Sequence, residues 1–140
     1  MYETFGEFDS AEEMLDVIDA LKAEGDFNSL KILAKENGLN FNDNDVYVDT
    51  FTAAVGKLEV EKKEKAVKDY EKKIPAEPIV EYLTSRCMED DIAKAIRKKS
   101  KSLAECLKHV EAEARKIVTK DKPYLPDLTV FNMALDYYRK

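Results

Sequence analysis

Histidine, tryptophan, cysteine and glycine are scarce in this 140-residue chain, which has one His, no Trp, two Cys and four Gly. Each scarcity closes a class of function. The lone histidine, His109, leaves no HExxH or similar spacing for a catalytic metal. Gly6, Gly25, Gly38 and Gly56 stand far apart, so no glycine-rich loop is present to cradle a nucleotide phosphate. Cys87 and Cys106 lack CxxC spacing and fall on apolar helical faces, which predicts buried thiols rather than a disulfide or a metal site. No apolar run approaches the roughly 20 residues that span a bilayer, and the acidic opening MYETFGEFDS has neither the basic nor the apolar stretch of a secretory leader. The expectation is a protein of the cytoplasm that binds no membrane, carries no metal or cofactor and has no catalytic residue.

Charge is plentiful. Hydrophobic residues make up 44% and charged residues 37%, too apolar for general disorder and too charged for a membrane protein. A chain of this length buries about two-thirds of its unfolded surface in one domain. The net charge of −6 is unevenly spread. Residues 1–50 hold three lysines and thirteen acids, net −10, whereas residues 51–140 hold twenty basic and sixteen acidic residues, net +4. Such asymmetry points to charged partners.

Apolar spacing of three and four predicts helices throughout. Ser10-Ala11-Glu12-Glu13 is a capping box in which Ser10 receives the Glu13 N–H and the Glu13 carboxylate reaches back to the Ser10 N–H. The helix it starts has Met14, Leu15, Ile18 and Leu21 inward and Gly25 as its stop. A second runs from about Asn28 to Asn37 with Leu30, Leu33 and Ala34 inward, followed by a turn near 39–44. A long helix is expected over 45–73, with a break near Asp49-Thr50, with Phe51, Ala54, Val55, Leu58, Val67 and Tyr70 inside and a solvated, charge-rich second half. Gly56 costs it about 1 kcal/mol relative to alanine. After Pro75 and Pro78, helices follow from about 76 and from Glu89-Asp90-Asp91, the latter ending near Lys99. Another spans 100–118 with a stripe of Leu103, Cys106, Leu107, Val110, Ala114 and Ile117. TKDKPYLPD then turns the chain into a last helix that is apolar on nearly every side, suited to a bundle centre or to a contact between copies of the chain. No segment alternates long enough to demand a sheet. The fold class is therefore all-α, a single domain of six or seven helices. An acidic hairpin, 1–44, packs on or is joined to a bundle, 45–140, unless the two form one continuous domain.

Two charged surfaces are candidates for binding. Asp9, Glu12, Glu13, Asp16 and Asp19 stand as like-charge neighbours, which costs a helix about 0.2–0.5 kcal/mol per pair. Asp16 and Asp19 lie beyond the first turn, where the helix dipole no longer compensates. Glu12, Glu13, Asp16 and Asp19 are thus the candidate partner-binding residues, imitating a phosphate row before a basic channel, with solubility as the bland alternative. Lys94, Arg97, Lys98, Lys99 and Lys101, with Lys108, form the alternative, a nucleic-acid-binding patch. Against it, no aromatic residues interleave to stack bases, and cations are favoured at a helix end in any case. LKILAKENGL has the look of a helix-turn-helix start, but a reading helix with Asp43, Asp45 and Asp49 would be repelled by phosphate. His109 falls on the polar side of its helix and is expected to be solvated.

Lys101-Ser102-Leu103, Ala114-Arg115-Lys116 and the terminal Val130-x-x-Met133-Ala134-x-x-Tyr137-Tyr138 together resemble the closing segment of PcfK-like proteins, most clearly over 100–140 and less over 75–99. That family of mobile elements includes inhibitors of type II CRISPR effector nucleases. FGEFDSAEEMLDVIDALKAEGD with LKILAKENG is similar to the leader of uncharacterised proteins from Firmicutes phages and plasmids. The resemblance implies a non-enzymatic anti-CRISPR protein of the host bacterial cytoplasm. Its partner would be a CRISPR effector nuclease, as the protein or its guide-bound complex, whose binding or cleavage of target DNA it blocks. The alternatives are a plasmid or conjugative-element accessory protein that binds nucleic acid or a transfer partner, and a self-associating helical module joined through the C-terminal helix.

Overall fold

A serine at position 10 and a glycine at position 25 delimit the first helix. In the computed structural model, which describes residues 4–71, 73–74, 76–118 and 125–140, α1 spans Ala11–Glu24. Ser10 Oγ accepts the Glu13 N–H at 3.1 Å, and Gly25 adopts the left-handed conformation at φ 70°. The returning Glu13 carboxylate accepts from the Asp9 N–H rather than from that of Ser10. α2, Phe27–Glu36, starts on the Asp26 side chain, and Gly38 turns the chain at φ 66°. Leu15 is 42% exposed, so Met14 and Ile18 alone carry the fully buried face of α1.

The predicted turn at 39–44 is a small antiparallel hairpin, β1 (Phe41–Asn42) paired with β2 (Asp45–Val46). Asp43 and Asn44 both take positive φ, 53° and 60°, the geometry of a mirror-image hairpin turn that these two residue types tolerate. This corrects two expectations: the chain has strands, each of two residues, and the helix expected from Asp45 starts five residues later. α3, Thr50–Glu61, opens on a capping box between Asp49 and Thr52. It ends at Lys62, and after a short break α4 covers Lys65–Tyr70, so the long helix is two helices. Phe51 points outward, 36% exposed, while Lys57 and Glu61 are inside.

α5 (Ala76–Arg86), α6 (Asp90–Arg97), α7 (Leu103–Ile117) and α8 (Asp127–Arg139) complete eight helices among the described residues. Of the TKDKPYLPD segment, 119–124 lie outside the described residues. Ser102 caps α7 by accepting the Glu105 N–H. The α7 stripe is shorter than its sequence pattern: Leu103, Cys106, Leu107 and Val110 are buried, but Ile117 is 50% exposed. α8 packs against α5, α6 and α7, and these three neighbours account for its broad apolar circumference. It buries Met133, Ala134, Leu135 and Tyr138 and leaves Leu128 in solvent. Cys87 and Cys106 are free buried thiols, each pushed up to about 12 by burial. His109 is half-buried beside Tyr137, ring centroids 6.1 Å apart, rather than fully solvated.

The apolar interior has two parts that meet within α3. Ala53 belongs to a cluster with Phe8, Met14, Ile18, Leu30, Leu33 and Val46; its neighbour Ala54 belongs to a larger one built from α3 to α8. One helix thus supplies both sides of a single all-α domain. At its middle the backbones touch: a Cβ on Gly56 would overlap the Asn37 carbonyl oxygen, and one on Gly38 would overlap Gly56. Gly56 is therefore a packing requirement and not the modest helix defect that propensity suggests.

Candidate functional site

The four candidate carboxylates stand together in solvent. Glu12, Glu13, Asp16 and Asp19 are all exposed on α1, with the buried Met14 and Ile18 on the other side. From Glu12 to Asp19 the stripe runs about 10 Å, seven residues at the helical rise. Glu13 is partly engaged in the cap described above. Lys94 is raised chiefly by its pair with Asp90 and Lys22 by its pair with Asp45, with Glu12 and Asp19 adding weaker attractions.

The basic candidates are divided between surface and interior. Arg97 is 1% exposed, with Nε donating to the Phe8 carbonyl at 3.0 Å, Nη2 to Asn37 Oδ1 at 2.8 Å and Nη1 to the Ala53 carbonyl at 3.4 Å. Its place among phosphate-binding residues is corrected: the guanidinium joins the N-terminal arm, α2 and α3 in the interior. Lys94 pairs with Asp90 at 3.0 Å, one turn away on α6. Lys101 donates to the Tyr137 carbonyl at 2.9 Å and lies 4.7 Å from the centre of that ring. Lys98 and Lys99 keep their side chains in solvent, while the Lys99 N–H donates to the Asp9 carboxylate at 2.7 Å.

Lys57 and Glu61, unremarked in the sequence, organise the same region. Lys57 Nζ is fully buried; it donates to the carbonyls of Lys98 and Lys101 at 2.6 and 2.7 Å and pairs with Glu7 at 3.0 Å. It thereby satisfies the Lys98 carbonyl at the C-cap of α6, where positive charge is favoured, and the Lys101 carbonyl in the turn before α7. Glu61, one turn on, accepts the Leu103 N–H at 3.4 Å through Oε2, and burial raises its carboxyl to about 7. A signal for both was present. Ala53, Ala54, Lys57, Leu58 and Glu61 follow the spacing of a core face, so charges at the fourth and eighth places of an apolar stripe mark buried polar groups.

Glu7, Phe8 and Asp9 therefore clasp the 97–101 turn through three separate contacts, a carboxylate on Lys57, a carbonyl on Arg97 and a carboxylate on the Lys99 N–H. A cleft of about 220 Å³ lies where acid and base meet, lined by Asp9, Ser10, Glu12, Thr50, Lys94 and Lys98 among others. Among the described residues, no cluster of three or more His, Cys, Asp or Glu side chains is placed to hold a metal ion. No described helix is long and apolar enough to cross a membrane.

Fold and geometry thus define an all-α domain with an exposed acidic helix held onto a polar interior. Residues 68–140, just over half of the chain, match the family model of PcfK-like proteins, and the chain belongs to that family. The matched segment contains α5 to α8 and the lysines of the 94–101 region, while α1 lies outside it. No curated protein and no solved structure matches the chain.

Proposed function

We propose that this protein is a non-enzymatic anti-CRISPR inhibitor that binds a type II RNA-guided effector nuclease and blocks target-DNA binding or cleavage. The observation that carries this reading is the joint exposure of Glu12, Glu13, Asp16 and Asp19 on one anchored helix. Such effectors hold their heteroduplex in a positively charged channel and read a short adjacent motif with arginines. A rigid row of carboxylates competes for those surfaces, and opposite fields speed its encounter with them. The resemblance to a family that includes such inhibitors supplies the biological setting. Purified effector, guide and target DNA with increasing amounts of this protein test the reading: cleavage should fall with dose, and Asp16→Lys with Asp19→Lys should relieve the block. Full cutting at large excess, across several type II effectors, overturns it.

A second reading is favoured by the position of Lys94 and Lys98 inside the matched segment. In it, the protein is an accessory factor of a plasmid or conjugative element that touches nucleic acid through these exposed lysines. Removing both charges should then weaken binding evenly across sequences and reduce its salt dependence. Self-association through α8, where Leu128 is 63% exposed, is read out by light scattering.

A further inference from the structure

A second cleft, of about 200 Å³, opens between the α2–β1 turn and the start of α3. Its chemistry differs from that of the cleft beneath α1. Tyr47, Phe51, Leu39 and Val55 wall it, and Gly38 and Gly56 lie at its base.

Tyr47 is a large aromatic residue with 71% of its surface in water, yet it is fixed. Its hydroxyl donates to Asp49 Oδ2 at 2.8 Å, and Asp49 is itself held by the Thr52 N–H at 2.7 Å. These contacts keep the Asp49 carboxyl below its usual range, so the acceptor beside the ring stays ionised. None of the residues lining the cleft is charged, and half of them come from the segment 1–50, which carries −10. An uncharged, aromatic-walled slot beside the ionised Asp49, in an acidic segment, matches a side chain with an aliphatic stem and a cationic head.

We propose that this cleft receives an arginine or lysine side chain from a basic protein partner, with the stem against Leu39, Phe51 and Val55 and the cation beside Tyr47 and Asp49. The inference rests on the reading of the acidic front as a contact surface for a basic partner, and it adds the anchoring pocket. Nucleic acid is not the occupant, because its phosphates are repelled by the same acidic segment.

Titrating isotope-labelled protein with the peptide acetyl-Gly-Arg-Gly-amide, followed by NMR, tests the pocket directly. Saturable shifts should concentrate at Leu39, Tyr47, Phe51 and Val55. Tyr47→Ala should weaken the peptide by about fivefold, the size of an exposed cation–π contact. Tyr47 is a surface residue, so the variant should fold; Tyr47→Phe, which loses only the tether to Asp49, gives an independent, smaller loss. The same peptide with norleucine in place of arginine should bind more weakly. Equal binding of norleucine, shifts spread along the α1 carboxylates, or no shifts at millimolar peptide each overturn the proposal. Asp16→Lys with Asp19→Lys should leave the pocket shifts intact while relieving nuclease inhibition, so failure of the pocket and failure of the inhibitory function are told apart.

Discussion

Replacing Arg97 with methionine keeps the apolar stem and deletes the guanidinium, which strands the groups it serves. The Ala53 carbonyl retains its helical partner within α3, whereas the Phe8 carbonyl and Asn37 Oδ1 are left dry. Each buried unsatisfied group costs about 1–3 kcal/mol, giving roughly 4 kcal/mol for the pair. An apolar replacement recovers part of the guanidinium's own desolvation, which brings the expected loss to about 3 kcal/mol. For a domain of this size that lowers Tm by about 10 °C. Urea unfolding followed by far-UV circular dichroism measures it, with Lys98→Met as the control. Lys98 is adjacent but exposed, so its change should stay within about 0.5 kcal/mol. An Arg97→Met protein less than about 1 kcal/mol weaker than wild type, with Lys98→Met equal to it, would refute the interior role. A phosphate-contacting arginine would behave in the opposite way, with Tm unchanged and a shallower salt dependence of DNA binding.

Gly56→Ala, which ordinarily stabilises a helix by about 1 kcal/mol, should here destabilise by about 1–3 kcal/mol because the methyl group meets the Asn37 carbonyl; thermal melts decide the sign. Gly38→Ala should cost more, since its φ of 66° adds backbone strain to the same contact. Native protein should react with a thiol reagent only as fast as it unfolds, as both cysteines are buried and raised to about 12; rapid labelling under native conditions would contradict this. Burial raises Glu61 from its ordinary 4.5 to about 7, so between those values the folded chain holds a proton that the unfolded chain has released. Its contribution is complete below about pH 4.5 and is lost as pH rises to about 7, by up to about 3 kcal/mol. Glu61→Gln should flatten that part of the stability curve, and an unchanged slope in denaturant titrations across the window would count against it.

The ends of α1 were legible because they depend on single residues, Ser10 and Gly25, which act where a side chain or a missing Cβ requires, whereas α7 starts on the Ser102 cap and not at residue 100. The helical class followed from apolar spacing for the same reason. Two-residue strands escaped notice, since Phe41–Asn42 and Asp45–Val46 are too short to show alternation, and only the Asp43-Asn44 pair hinted at a hairpin. Charge misled in the other direction. Counting Arg97 with its lysine neighbours treats every cation as solvated, yet its position one residue from Ile96 and four from Ala93 places it on the buried arc of α6. The candidate carboxylates were found on the exposed face where helical spacing put them. The cleft beside Tyr47 could not be foreseen, because it depends on the approach of the α2–β1 turn to α3.

The division of charge between the two halves of the chain is not a division of the molecule. Glu7 and Asp9 are consumed by Lys57 and the Lys99 N–H, and Arg97 reaches back to the arm that carries them. Part of the acidic surplus therefore holds the front of the chain onto the α6–α7 turn. Among the acids left facing water are those from Glu12 to Asp19, whose like charges gain nothing from one another. The clasp fixes the attitude of α1 and removes the entropy that a loose acidic arm would lose on binding. On the inhibitory function proposed above, a weakened clasp should reduce affinity for the effector even with every α1 carboxylate in place. Asp9→Asn, which keeps an acceptor for the Lys99 N–H but removes the charge, should cost less affinity than Asp9→Ala, and equal losses would mean that Asp9 acts on the partner through its charge alone.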